Sequence, residues 1–171
     1  MDELKHGAWL VVLHASRIPP HVGLMINGNY NSLTIKEREL NISIEALSKT
    51  IQQKKLESIF IRLVNHPVFS LEYQLGIFQE QLKTFQYVEQ GVATCLSPLK
   101  LFFEEFYAVK NNPAQLFYDF LDNLNENDYL RDIVGMNLNL QIGENIFSFP
   151  TYTSDQLSRR IKQERYMYYK K

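Results

Sequence analysis

PHVGLMINGNYNSLTI, residues 20–35, is the stretch that most clearly indicates the fold. Its apolar run from Val22 to Ile26 has the length and composition of a strand that is buried on both faces. The run ends at Asn27-Gly28, a dipeptide that accepts positive φ at both central positions of a tight turn. Aromatic and β-branched residues then continue from Tyr30 to Ile35, as strands favour. The stretch therefore predicts a β-hairpin.

The residues on either side of this hairpin predict two more strands and a helix. A second apolar run, AWLVVL, covers residues 8–13 and is joined to the hairpin by the polar, proline-bearing connection SRIPPH. Ser43 is a suitable cap for a helix in which Ile44, Leu47 and Ile51 recur at helical spacing. The run SIFIRLV then predicts a strand over residues 58–64.

The second half of the chain is mainly helical in its pattern. Ser70 predicts the start of a helix that continues to about Val88, and the segment over residues 94–109 predicts a well-buried helix. Asn112 followed by Pro113 predicts the start of another helix. Period-two alternation over residues 136–142 predicts a strand, with a turn at 143–145 leading into IFSF. From Ser154 the chain predicts a basic C-terminal helix over about residues 154–171.

This order of strands and helices predicts a single α+β domain over residues 1–171, with a largely antiparallel sheet packed against helices. The chain has 171 residues, 45% of them hydrophobic, which is enough for one sizeable core. A formal net charge of -1 gives no general attraction for nucleic acid, so no specific nucleic-acid partner is expected. The single cysteine excludes an internal disulfide framework and multi-cysteine metal sites.

The first residues, MDELKHG, are polar, and the apolar run after them is too short for a signal peptide or a membrane span. We therefore expect a cytoplasmic protein without transmembrane segments. We also expect no cofactor and no metal. A metal site formed by His14, His21 and His66 is disfavoured because no spacing among them places two ligands on one helical turn.

The lone thiol of Cys95 and the histidines are the candidates for chemistry, since a cysteine nucleophile needs a base within hydrogen-bond reach. Thr94 as the helix cap would place Cys95 at the first helical position, whereas Ser97 as the cap would leave it just outside. His21 begins a predicted strand, where a base would be rigidly aimed. A buried, chemically inert Cys95 is the alternative, because free cysteine is among the most buried residue types.

The segment PHVGLMINGNY resembles HVGIYIGNGxY of the papain-like NlpC-type hydrolases, in which the histidine that begins this strand is the base. In ordinary members the cysteine precedes this strand, but here Cys95 follows His21 by 74 positions. That order is similar to the circularly permuted branch, which includes relatives of lecithin:retinol acyltransferase. The resemblance covers roughly residues 7–35 and 92–107.

The resemblance implies a permuted papain-like fold, with His21 deprotonating Cys95 and Cys95 attacking an ester, amide or thioester. The substrate would then be a small-molecule or peptide acyl compound. The orienting residue is expected on the strand after His21, where Ser32 is a candidate along with Asn31 and Thr34. His66, at the end of another strand, is a further candidate if it reaches the same sheet edge.

Two other functions remain open from the sequence. The same fold could serve as a non-catalytic binding or assembly domain in which Cys95 and His21 are structural. The C-terminal segment SRRIKQERYMYYKK mixes basic and aromatic residues, as surfaces that bind phosphate backbones or anionic lipid do. A solvated surface helix has the same pattern, and it is the favoured interpretation of this segment.

Overall fold

A computed structural model describes residues 2–110, 116–138 and 149–170 of the chain. These residues form an α+β fold with a six-stranded antiparallel sheet and five α-helices, as the sequence predicts. The strands are β1 (Ala8–Leu13), β2 (His21–Ile26), β3 (Asn29–Leu33), β4 (Arg38–Ser43), β5 (Ser58–Leu63) and β6 (Leu130–Met136). The helices are α1 (Ile44–Gln53), α2 (Leu71–Lys83), α3 (Ser97–Tyr107), α4 (Phe117–Glu126) and α5 (Ser154–Tyr169).

The strands lie in the order β4-β3-β2-β1-β5-β6, and each neighbouring pair is antiparallel. The predicted hairpin is confirmed: β2 and β3 are joined at Asn27 and Gly28, with φ of 47° and 73°. Both β2 and β5 are antiparallel to β1, so these two strands run in the same direction. That shared direction decides which residues meet at each end of the sheet.

Both faces of the sheet are covered, which explains the uninterrupted apolar run of β1. Leu10 and Val12 face one hydrophobic cluster, which also contains residues of α2, α3, α4 and α5. Trp9 and Val11 face the other cluster, to which α1 contributes. None of the helices in the described parts of the chain combines the length and apolarity that a bilayer span requires.

The predicted helix caps at Ser43 and Ser70 are confirmed, because each hydroxyl accepts a hydrogen bond from a backbone N–H in the first turn. Helix α2 ends at Lys83, however, before the predicted end near Val88. The backbone N–H of Val88 donates to the carbonyl oxygen of Thr34 at 2.8 Å, beyond the end of β3. That contact ties this part of the chain to the sheet instead of the helix.

Two strands depart from the sequence prediction. Strand β4 is an edge strand with mostly polar, exposed residues, so it lacks the apolar signal by which strands are recognised. Strand β6 ends at Met136, where the predicted strand begins. Asn137 and Leu138, which the prediction includes, are not part of a strand; residues 139–142, most of the second hairpin and the Asn112-Pro113 cap lie outside the described residues.

Candidate active site

Cys95 lies in the loop that leads into α3, one residue before the helix cap. The cap is Leu96 and the first helical residue is Ser97, so the cap is neither Thr94 nor Ser97, but Cys95 lies just outside the helix, as the second register predicts. The hydroxyls of Thr94 and Ser97 instead bond within the loop, accepting from the backbone N–H groups of Leu96 at 3.2 Å and Thr94 at 2.9 Å. The loop is therefore closed by its own side chains, and it holds Cys95 at the entrance to the helix.

The Cys95 sulfur lies against the start of β2, 4.0 Å from the carbonyl oxygen of Pro20. Burial raises the pKa of the Cys95 thiol, while the backbone N–H groups of Val22, Cys95 and Leu96 oppose that rise by favouring the thiolate. Pro20 and Val22 are the residues on either side of His21. The sulfur thus meets the backbone on both sides of the predicted base.

His21 is the first residue of β2 and is half-buried. Its Nε2 lies 3.1 Å from the hydroxyl oxygen of Ser32, which is itself 1% exposed. Burial, with added repulsion from His14 and Arg17, lowers the pKa of His21 to about 4. The imidazole is therefore neutral at physiological pH, which is the form that accepts a proton.

Alternation along β2 places His21 in the row of Gly23 and Met25, on the face covered by α1. Cys95 packs with the cluster on the opposite face. The hydrogen bonds of the described residues do not include one between the sulfur and the imidazole. The Cys95 sulfur and the His21 imidazole can therefore come into contact only past the N-terminal end of β2, where the two faces of the sheet meet.

The other predicted histidine, His66, is at the opposite end of the sheet. It follows the end of β5, whereas His21 begins β2, and these strands run in the same direction. The Nδ1 of His66 accepts backbone N–H groups from Val68 and Phe69, both at 3.1 Å. The expectation that His66 lies at the same edge of the sheet as His21 is therefore wrong. The His66 ring instead caps a turn.

Glu39 is a polar neighbour that the sequence analysis missed. Its Oε2 accepts a 2.7 Å hydrogen bond from the hydroxyl of Ser32. Ser32 pairs with Glu39 across β3 and β4, so the two side chains share a face. The signal that would have found Glu39 is the register of β4, a strand that was not predicted.

Gly23 supports the site by allowing the Tyr30 ring to pack across β2. An added Cβ at Gly23 would lie 2.6 Å from the Tyr30 ring and 2.7 Å from the carbonyl oxygen of Asn31. The clash with the backbone of β3 requires the two strands to shift. The strand that carries Ser32 therefore depends on glycine at this position.

We expect Gly23→Ala to lower the free energy of unfolding by about 1–3 kcal/mol, the usual range for overpacking. Gly76→Ala is the matched control, since a Cβ at this helical position would have no heavy atom within 4 Å. It should stabilise the protein by roughly 0.5–1 kcal/mol. Urea denaturation measures both changes, and equal stability of Gly23→Ala and the parent would show that the strands adapt freely.

A polar cavity of about 640 Å³ lies beside the loop between β1 and β2. Its lining includes Arg17, whose positive charge also acts on His21, and His14, whose pKa is lowered mainly by burial. Lys54 and Lys55 add positive charge, and Glu57 adds negative charge. The cavity is thus a mainly cationic space near the candidate site, although neither Cys95 nor His21 lines it.

The C-terminal helix α5 is docked on the domain. Ile161 is 5% exposed and packs with the cluster that also contacts Cys95. Glu164 forms ion pairs with Arg17 and Arg160, and Arg165 lies 2.9 Å from Glu89. Two basic residues of this helix, Arg160 and Arg165, therefore form ion pairs within the protein.

Comparison with models of known protein families, with curated proteins and with solved structures finds no match to this chain. Within the described ranges, no three His, Cys, Asp or Glu side chains are grouped as a metal site requires. His14, His21 and His66 in particular do not converge, because His66 is at the other end of the sheet.

Proposed function

We propose that this protein is a cysteine-dependent hydrolase or acyltransferase of the circularly permuted papain-like kind. Cys95 is the nucleophile and His21 is the general base. The observation that supports this most is the position of the Cys95 sulfur against the backbone on both sides of His21. The hydrogen bond between His21 Nε2 and the Ser32 hydroxyl supports a fixed orientation for the base.

The proposed reaction begins with transfer of the Cys95 thiol proton to His21. The thiolate sulfur then forms a bond to the carbonyl carbon of an ester, amide or thioester, giving a tetrahedral oxyanion. The backbone N–H of Cys95 is the proposed oxyanion donor, since that of Leu96 donates to Thr94. Collapse breaks the bond to the leaving group, which takes the proton from His21 and leaves an acyl group on sulfur. Water or a second acceptor then removes the acyl group.

This mechanism needs a neutral His21, because a protonated imidazole cannot accept the thiol proton. The lowered pKa of about 4 supplies that form at neutral pH, and the same shift makes His21 a weaker base than an unperturbed histidine. It also needs the imidazole and the thiol to meet round the beginning of β2. We place the part of the substrate remote from its carbonyl in the cationic cavity beside Arg17, which favours polar or anionic acyl compounds.

A non-catalytic binding domain is the second candidate function, and two observations favour it. Burial raises the pKa of the Cys95 thiol, so the reactive thiolate is scarce at neutral pH. Cys95 and His21 also belong to opposite faces of the sheet. In this function the thiol fills space near α3, and His21 supports the sheet through Ser32. A cytoplasmic location, where a free thiol stays reduced, is part of both proposals.

A single-turnover reaction with p-nitrophenyl acetate separates the two functions. The hydrolase proposal predicts a burst of p-nitrophenol and one acetyl group on Cys95, located by peptide mass spectrometry. The Cys95→Ala variant is the control and should show no burst. The rate is compared with that of N-acetylcysteine at the same neutral pH. Acetylation of Cys95 no faster than that of the free thiol would refute the hydrolase proposal and favour the binding domain.

A further inference from the structure

Three side chains from adjacent strands form a continuous hydrogen-bonded row that ends at His21, the candidate base. His21 Nε2 lies 3.1 Å from Ser32 Oγ, and Ser32 Oγ donates to Glu39 Oε2 at 2.7 Å. The strand register independently supports this row, because Ser32 pairs with Gly23 on one side and with Glu39 on the other. His21 precedes Gly23 by two positions and so shares its face.

The hydrogen-bond donors and acceptors in this row determine which nitrogen of the neutral His21 imidazole carries the proton. A serine hydroxyl carries one proton, and an ionised carboxylate only accepts hydrogen bonds. Since the hydroxyl of Ser32 donates to Glu39, its remaining role toward His21 is that of an acceptor. Nε2 must then carry the proton of the neutral imidazole, and Nδ1 has an unshared electron pair.

We propose that Glu39 is a positioning residue that acts through Ser32 to hold His21 in the Nε2–H tautomer. Nδ1 is then the atom that takes the proton of Cys95. The same row holds the ring in one orientation after it has become an imidazolium. The catalytic meaning of this inference rests on the proposed function, whereas the assignment of the tautomer does not.

The test of the tautomer is the ¹⁵N NMR spectrum of the His21 side chain in the intact protein at neutral pH. The parent should show a protonated Nε2 and an unprotonated Nδ1. In Glu39→Gln, the new amide group is able to donate to Ser32, which frees the serine proton for Nε2. We therefore expect the tautomer to shift toward Nδ1–H. A parent protein with Nδ1–H would overturn the inference.

The kinetic test is the rate of Cys95 acetylation by p-nitrophenyl acetate. Replacing the carboxylate of a Ser–His–Asp triad by an amide costs about 10⁴-fold because the tautomer is wrong. Through an intervening hydroxyl we expect a smaller loss, roughly 10- to 100-fold, for Glu39→Gln. Glu37→Gln removes the same charge from an exposed neighbour in the preceding turn and should change neither the rate nor the tautomer.

The two readouts separate this inference from the proposed function. If Glu39→Gln shifts the tautomer while the parent shows no acetylation of Cys95, the positioning of His21 by Glu39 stands and the hydrolase proposal fails. If Cys95 is acetylated but Glu39→Gln changes neither its rate nor the tautomer, the hydrolase proposal stands and the role of Glu39 is refuted. Ser32→Ala provides a second variant, because it interrupts the row without altering Glu39.

Discussion

His21→Ala is expected to slow acetylation of Cys95 by p-nitrophenyl acetate about 10²- to 10⁴-fold at neutral pH, the usual contribution of a positioned general base. The physical reason is that burial raises the pKa of the Cys95 thiol, so little thiolate is present without a base. In the parent, the rate should fall as the pH is lowered through about 4, where His21 takes up its proton. Stopped-flow detection of p-nitrophenol gives the rate and its pH profile.

Two other histidines serve as matched controls for this experiment. His6 is exposed, and His66 caps a turn at the opposite end of the sheet. His6→Ala and His66→Ala should therefore acetylate at rates close to that of the parent. A loss in His66→Ala equal to that in His21→Ala, or an unchanged rate in His21→Ala, would contradict the assignment of His21 as the base.

The second large effect concerns stability in acid. Folding lowers the pKa of His21 from 6.5 to about 4, so the unfolded chain takes up this proton at a higher pH than the folded chain. The stability from His21 is fully present above pH ~6.5 and is lost as the pH falls toward 4. At about 1.4 kcal/mol for each pKa unit, the loss attributable to His21 is about 3 kcal/mol.

Urea denaturation of the parent and His21→Gln at pH 7 and pH 4 measures this contribution. Glutamine is neutral throughout this range, so the variant should lose about 3 kcal/mol less stability than the parent on acidification. The titrating groups that do not interact with His21 are present in both proteins and cancel in the comparison. Equal losses in the two proteins would show that His21 is protonated as readily in the folded chain as in the unfolded one.

The residue types and the resemblance indicate Cys95, His21 and Ser32 as candidates from the sequence alone. The structure links His21 to Ser32 directly and places Cys95 beside the same strand end. It removes His66 from that region, because the direction of β5 could not be read from its apolar run. It also adds Glu39, whose strand is an exposed edge with no apolar periodicity.

The sequence by itself determined the parts of this protein that depend on neighbouring residues. Asn27-Gly28 specifies its turn because it tolerates positive φ, and Ser43 and Ser70 cap their helices through bonds within one turn. The continuous apolar run of β1 likewise indicates a strand covered on both faces.

Only the tertiary structure decided which distant residues meet. The contact of Cys95 with Pro20 and the row from His21 through Ser32 to Glu39 depend on strand order, strand direction and register. These features arise from pairing between segments that are far apart in the chain. Local preferences contain little information about them, since one residue of slip would move a side chain to the other face of the sheet.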